Sequence, residues 1–320
     1  MTNIRDIAKI AGVSVSTVSR VLNHHPYVSE EKRRAVETAV IQTNYHQNMN
    51  AIHLSTGKTN IIGVVVPFTN HPYFGKLVEG MMEQAEQDNH KIILFQTNYR
   101  LEREREALDM LKYKQLDGLI LCSREIDWPF LLEYREYGPI VLAEKTSQQT
   151  FSASYIDHYQ AFSQALSFLY DKGYRKIGYC VGRQNGANSK QRWQAYQDFL
   201  KENGLEYNRD YTYYGCYQFE DGAHIALKWL EQKNRPEALL VANDQIAAGM
   251  VTVCRKHHVD IPHQLALIGF DNQPIANFME ITTIDLPLLQ MGQQLFQQAL
   301  QPDHISEHQF VTSLIERQTV

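Results

Sequence analysis

Residues 4–27, IRDIAKIAGVSVSTVSRVLNHHPY, leave room for little except two short helices joined by a tight turn. Ile4, Ile7, Ala8 and Ala11 recur at the spacing that puts side chains on one helical face. Gly12 ends this first helix, because glycine takes the left-handed conformation of a C-cap at little steric cost. Ser14 offers its hydroxyl as the N-cap of the second helix. There Val18, Val21 and Leu22 point one way, and Val15, Ser16, Ser19 and Arg20 share the opposite face. A small, polar outward face ending in a guanidinium suits a helix lying in the DNA major groove, with Arg20 offering two donors to guanine. It suits the polar side of a plain αα-hairpin as well, and the spacing alone does not separate the two.

The literal residues do. DIAKIAGVSVSTVSRVLN (6–23) followed by VSEEKRRAV (28–36) resembles the N-terminal headpiece of the lactose-repressor (LacI/GalR) family of bacterial transcription regulators, nearly without interruption through Tyr45. The resemblance implies base reading at Val15, Ser16 and Arg20. Thr2, Ile4, Ser14, Thr17, Ser19, Asn23 and Tyr27 complete the implied DNA-facing set.

A net charge of −5 seems a poor match to a polyanion, but it averages unlike parts. Residues 1–58 hold seven Lys/Arg against four acids, a net +3, which leaves −8 on the remainder. A basic head on an acidic body is expected when only one end meets phosphate. At 320 residues the chain is long enough for two or three compact units. A hydrophobic fraction of 43% with 21% charged residues is ordinary globular composition. No apolar run approaches the roughly 18 residues of a membrane span, and the N-terminus lacks a signal-peptide core, so a cytoplasmic location is expected. Cys122, Cys180, Cys216 and Cys254 are scattered without a C-x-x-C pair and read as reduced, structural thiols.

After the second helix, His24-His25-Pro26-Tyr27 forms a loop, and Ser29 is expected to cap a third helix with Glu30 and Glu31 in its first turn. Val36, Ala39 and Val40 bury against the first two helices, with Tyr45 closing the headpiece, residues 1–45. Residues 46–59 are polar and weakly patterned, as a linker would be. The resemblance makes them a hinge that folds on DNA and pushes Leu54 into the minor groove, kinking the duplex. The resemblance implies a cation where Ile52 stands, a cation or a small polar residue where Ser55 stands, proline at Gln47 and an aliphatic residue at Asn50. Fewer cations mean fewer phosphate contacts and a shallower salt dependence.

From Asn60 the pattern changes. IIGVVVP (61–67) is a continuous apolar run of strand length and reads as a buried parallel strand. Strand-like KIILFQT (91–97), DGLILCS (117–123) and PIVLAEK (139–145) follow, separated by helical stretches at 73–89 and 101–115. A further helix at 159–172 leads to KIGYCVG (176–182), a helix at 192–204, EALLVAN (237–243) and LALIGFD (265–271). The alternation predicts doubly wound α/β structure. KIGYCVG begins 115 residues after IIGVVVP, and EALLVAN 120 after DGLILCS, so two similar lobes are expected. The resemblance adds that such a core looks like a periplasmic sugar-binding protein. ANDQIAAG (242–249), LALIGFDN (265–272) and ITTIDLP (281–287) are close to family signatures. The expected architecture is an all-α helix–turn–helix headpiece plus an α/β two-lobed effector domain of the periplasmic-binding-protein type, residues 60–320, with doubly wound parallel sheets. Three crossings give a first lobe of about 60–157 plus 286–311 and a second of about 158–285 plus 312–320.

Ligands of open α/β sheets bind beyond the carboxyl ends of the strands, so the site falls in the cleft between the lobes. The loops there carry flat aromatics, amides, carboxylates and one arginine, a mixture suited to a polyol. The resemblance points to Arg192 and Asp271 as hydroxyl clamps with Asn243 beside them, and to Phe74 and Tyr217 as ring contacts. Thr69, Tyr73, Glu144 and Asn188 complete the expected effector set, Glu144 standing where Asp is common. Asp271 and Asn243 could instead cap strand ends, Arg192 could bridge the lobes, and Tyr73 could be core; Trp128 and Trp193 could reach the cleft. No catalytic set emerges: Gly57-Lys58-Thr59 lacks the upstream glycine of a phosphate loop, Ile52 standing there, and no G-x-S-x-G or H-E-x-x-H occurs. His304 and His308 would make a metal pair only on a helix, and neither metal nor cofactor is expected. Together these features predict a DNA-binding repressor of carbohydrate genes, a homodimer on a palindromic double-stranded operator, controlled by a sugar or sugar phosphate. A purine-type corepressor or a protein partner is the alternative, with a stand-alone solute-binding protein behind it.

Overall fold

The computed structural model describes residues 2–46, 57–146 and 150–320. The chain forms two compact units, Met1–Lys58 and Thr59–Val320. The expected hinge wedge Leu54 lies outside the described residues.

In the first unit α1 (Ile4–Ile10) starts with a capping box: Asn3 accepts from the amides of Arg5 and Asp6, and Asp6 accepts from the Asn3 amide. Gly12 follows at φ 65°, the left-handed turn that lets α2 (Val15–Leu22) depart at once. Ser14 caps α2 by accepting from the Thr17 amide. Ser29 sits at the N-cap of α3 (Glu30–Thr43), but its side chain makes no capping hydrogen bond, contrary to expectation; Glu30 and Glu31 remain to offset the helix dipole. Ile7, Ala8, Val18, Val21, Val36 and Ala39 form the buried core, with Val40 and Tyr45 packed on its rim.

The second unit contains two six-stranded sheets built to one plan. The first comprises β1 (Ile61–Val66), β2 (Lys91–Gln96), β3 (Gly118–Leu121), β4 (Ile140–Leu142), β5 (Ser152–Ile156) and β11 (Glu307–Phe310), in the order β11-β5-β4-β3-β1-β2. The second comprises β6 (Ile177–Val181), β7 (Thr212–Tyr214), β8 (Ala238–Leu240), β9 (Ala266–Phe270), β10 (Thr282–Asp285) and β12 (Ser313–Ile315), in the order β12-β10-β9-β8-β6-β7. The first sheet is parallel throughout; in the second, β12 runs antiparallel to β10, so that sheet is mixed at one edge. In both sheets the opening strand lies between the second and third. The order reverses there, and the strand ends diverge to leave a crevice.

Helices cover the faces: α4 (Pro72–Gln87), α5 (Leu101–Lys112), α6 (Trp128–Leu132), α7 (His158–Asp171), α8 (Ala187–Glu202), α9 (Phe219–Glu231), α10 (Asp244–Lys256), α11 (Pro274–Phe278) and α12 (Leu288–Ala299). The α8 helix begins five residues before the expected start at Arg192, so Asn188 and Arg192 ride on a helix and not a loop. The α12 helix packs on α4 backbone to backbone: a Cβ on Gly80 would stand 2.0 Å from the Leu289 carbonyl oxygen. His308 lies on β11, edge-on to Phe310, so the His304/His308 pair lacks helical spacing.

Candidate nucleic-acid interface and ligand cleft

The outward face of α2 is presented bare. Val15 is 41% exposed, Ser16 and Arg20 are exposed, and Arg20 enters none of the ion pairs among the described residues. Ser14 uses its hydroxyl at the cap, where it lies 2.8 Å from Ser16 Oγ and 2.9 Å from Thr17 Oγ1. Half-buried Ser19 accepts from the exposed Asn23 through Nδ2 at 3.4 Å, and Tyr27 stands 86% exposed in the following loop. Thr2 and Thr17 are half-buried. Ile4 is half-buried as well, its side chain leaning on the headpiece core.

The cleft lies at the carboxyl ends of both sheets and encloses about 140 Å³. Tyr73, Phe74, Glu144, Asn188, Arg192, Tyr217, Asn243 and Asp271 all line it. Thr69 does not: it is exposed, and its amide and hydroxyl both donate to Gln96 Oε1. Trp128 and Trp193 also stay outside, the first stacked with Phe151 and the second among Tyr179, Tyr196 and Tyr207.

Arg192 is buried, with its guanidinium carbon 4.3 Å from the centre of the Phe270 ring. It donates through Nη1 to the Ala242 carbonyl at 3.4 Å and through Nη2 to His158 Nδ1 at 3.3 Å. Burial and the adjacent guanidinium hold the His158 imidazole well below its ordinary value, so it stays neutral and can accept. Arg192 bridges no carboxylate across the lobes; it is propped by its own lobe, with a buried Nε that has no partner among the described residues.

Asp271 is positioned by an unusual backbone. Its φ of 96° and the 50° of Asn272 lie where L-residues are rarely found, so the turn needs external support. Buried Asp244 supplies it, accepting the Gln273 amide at 2.7 Å and the Thr283 hydroxyl at 2.6 Å. Gln273 Nε2 then donates to Asp271 Oδ2 at 2.9 Å. Burial pushes the Asp271 carboxyl up to about 6, with Gln273 and Arg192 restraining the rise.

Asn243 caps α10 through Oδ1, which accepts the Ile246 amide, so the capping role is real. Its Nδ2 donates to the Tyr217 carbonyl at 3.0 Å and approaches His71 Nε2, in the other lobe, at 3.2 Å. An amide nitrogen only donates, so Nε2 accepts and the His71 proton sits on buried Nδ1, unpartnered among the described residues. Burial pulls the His71 imidazole down to about 4. Tyr73 is both core and lining: it packs on the main hydrophobic cluster while its hydroxyl feels Asp271 and Arg192. Reasoning from sequence missed Phe68, Tyr99, His158 and Arg183 in the lining and Asp244 behind it. Only Asp244 carried a local signal, as the residue following the strand-end Asn243.

The family model "Bacterial regulatory proteins, lacI family" matches residues 3–48, and "Periplasmic binding proteins and sugar binding domain of LacI family" matches residues 59–317. The chain belongs to the LacI family. LacI-family members are DNA-binding transcriptional regulators and not enzymes, and this chain is one of them. It is 41% identical to the HTH-type transcriptional regulator YkvZ of Bacillus subtilis (strain 168), with 100% of each chain covered. Its fold matches the Lac repressor dimer bound to operator and the anti-inducer ONPF with a TM-score of 0.86 at 22% identity, covering 99% of this chain and 98% of that one. A LacI-family regulator from Lactobacillus casei with bound glucose matches with a TM-score of 0.75 at 26% identity, over 81% of this chain and 99% of that one. No helix among the described residues is long and apolar enough to cross a membrane.

Proposed function

We propose that this LacI-family regulator is a cytoplasmic repressor of carbohydrate-utilisation genes that binds a palindromic operator as a homodimer. A small sugar-like effector between its lobes controls that binding. Val15, Ser16 and Arg20 read bases, while Ser14, Thr17, Ser19, Asn23, Tyr27 and Thr2 position the headpiece on the backbone. One headpiece buries little interface, and two on a symmetric dimer read both half-sites in register.

The observation that carries the effector reading is the cleft's chemistry. Phe74, Tyr73 and Tyr217 provide apolar ring faces, and Arg192, Asp271, Asn243, Asn188 and Glu144 provide donors and acceptors around them. A buried donor lacking an acceptor costs about 1–3 kcal/mol. A hydroxyl reaching Arg192 Nε or His71 Nδ1 recovers that cost. The L. casei relative with bound glucose supports a sugar of similar size.

Two lobe arrangements differing in effector affinity then give control, because a ligand shifts the equilibrium only by its unequal binding to them. The test is thermal shift of the full chain against sugars and nucleobases, followed by operator titration with any ligand that raises the melting temperature. A stabilising sugar that changes operator affinity is expected. Stabilisation by a nucleobase alone would replace the sugar with a purine-type corepressor.

A further inference from the structure

Arg192 and Arg183 both reach the cleft from the second lobe, and they are held in opposite ways. Arg192 rests on groups of its own lobe, Ala242, His158 and the Phe270 ring. Arg183, just beyond the end of β6, makes its contacts with the first lobe. It forms an ion pair with Glu125, donates through Nη2 to the Arg124 carbonyl at 3.5 Å and lies 4.2 Å from the centre of the Tyr99 ring. The receiving loop, between β3 and α6, is fixed from behind. Fully buried Glu104 on α5 accepts the Glu125 and Ile126 amides at 2.9 Å. Beside it Arg124 pairs with Glu144 at 2.5 Å and covers the Trp128 ring at 4.1 Å. A buried carboxylate is costly unless hydrogen bonds satisfy it, and here the donors are the backbone of this one loop. Glu125 therefore meets Arg183 with its main chain already ordered, which lowers the entropy lost in making the contact.

We propose that Arg183 is a clasp that holds the two lobes together in the effector-free chain, on a loop positioned by Glu104, and so sets the resting balance between the two lobe arrangements. This rests on the reading that two such arrangements exist, and it holds for whichever molecule the cleft takes. The side chains of the pair are 22% and 38% exposed, so water reaches the contact and weakens it. A partly exposed pair, together with a guanidinium over a ring, shifts an equilibrium by roughly a few-fold to tenfold. That scale suits a balance an effector has to tip. A ligand shifts an equilibrium only by its unequal affinity for the two states, so a much stronger clasp would lock one of them. His71 and Asn243 make a second contact between the lobes at 3.2 Å. Asn243 also accepts the Ile246 amide and donates to the Tyr217 carbonyl within its own lobe. Parting the lobes takes one partner from Asn243 and takes Glu125, the Arg124 carbonyl and the Tyr99 ring from Arg183.

The experiment is hydrogen exchange, read by mass spectrometry, on the effector-free full chain. It compares wild type with Arg183→Met, Arg183→Lys, Glu125→Gln and the Arg183→Met/Glu125→Gln double variant. Peptides covering residues 68–74 and 215–221, which carry cleft-lining side chains, report how often the lobes part. In Arg183→Met their exchange should quicken about three- to tenfold. Arg183→Lys keeps the charge and should retain most of the protection, and Glu125→Gln should lose a smaller part than Arg183→Met. The double variant should exchange no faster than Arg183→Met, because both substitutions break one contact. Glu104→Gln should also quicken exchange of residues 123–127; a folded variant with that loop still protected overturns the role of Glu104, and if it does not fold the Arg183 and Glu125 variants decide. Unchanged cleft-wall exchange in Arg183→Met, or a double variant that adds both single effects in full, overturns the clasp and leaves the two-arrangement reading standing. Faster exchange with unaltered operator affinity in a gel-shift titration supports the clasp and removes the link between lobe balance and DNA binding.

Discussion

The two interaction surfaces of this molecule are built on opposite principles. The outward face of α2 leaves its guanidinium wet and outside every ion pair among the described residues, with Arg20 exposed beside the small side chains of Ser16 and Val15. The cleft shows polar groups that are buried and mostly held by neighbours, Arg192 to His158, Asn243 to Tyr217 and Asp271 to Gln273, with Arg192 Nε and His71 Nδ1 left open among the described residues. A surface that must slide along a duplex gains from donors free to meet many phosphates and bases. A surface that must choose one small ligand gains from groups fixed in advance, because their ordering has been completed before the ligand arrives.

The contrast can be broken most forcefully at the headpiece core. Ile7→Ala removes the largest fully buried side chain of a cluster with only six buried members and should cost about 2–5 kcal/mol. Operator binding should vanish in a gel-shift titration, while effector binding, measured calorimetrically, persists because the second unit has its own core. Loss of both would show that the two units do not fold independently.

Asp271→Asn tests the prematched side. An acceptor carrying charge contributes about 1.5–3 kcal/mol through its hydrogen bonds, so effector affinity should fall ten- to a hundredfold with operator affinity of the free protein unchanged. The wild type should lose affinity as pH drops through about 6, where the buried Asp271 carboxyl takes up a proton. The sign follows from the raised value: above 6 the charged acceptor is present, below it is not. The asparagine variant should show no such step, and a step that survives in it would move the titration to another group.

On the unpaired side, Arg20→Ala should weaken operator binding roughly ten- to a hundredfold and relax preference at one base position. Because the side chain enters no ion pair among the described residues, melting temperature and effector affinity should be unaffected. The smallest effect concerns salt. With Ile52 standing where the resemblance implies a cation, the slope of log affinity against log salt should be shallower by about one than for relatives with basic hinges, which paired titrations would reveal.

Much of this was legible in the sequence where a pattern is local. The α1–turn–α2 unit declared itself through Gly12, Ser14 and the inward valines, and the strands β1, β3, β6, β8 and β9 through runs of apolar residues buried on both faces. Strand β5 did not, because Ser152-Ala-Ser-Tyr-Ile looks like a loop until the pairing is known. Its buried serines are tolerated because Ser154 donates to Gln298 and Ser152 to the His304 carbonyl, partners about 150 residues away in the chain. The same holds in the cleft. Asp271 and Asn243 sit at strand ends that the sequence marks, while Arg183 and His158 act through contacts that only the folded chain creates. Thr69 failed in the other direction: proximity to a strand end placed it in the right loop, and Gln96 took its hydroxyl away from the cleft.

The close approach of α4 to α12 at Gly80 has a mechanical consequence. Helix α4 starts beside His71 and Phe74, at the cleft, and its 16 residues span about 24 Å at 1.5 Å per residue. It finishes just before Lys91, whose amide donates to the Asn60 carbonyl where the chain enters β1. Clamped along its flank by a neighbouring backbone, this rod can neither bend nor roll without separating two main chains in contact. A single added methyl at Gly80 would force those two main chains apart, so Gly80→Ala should lower the melting temperature of the second unit.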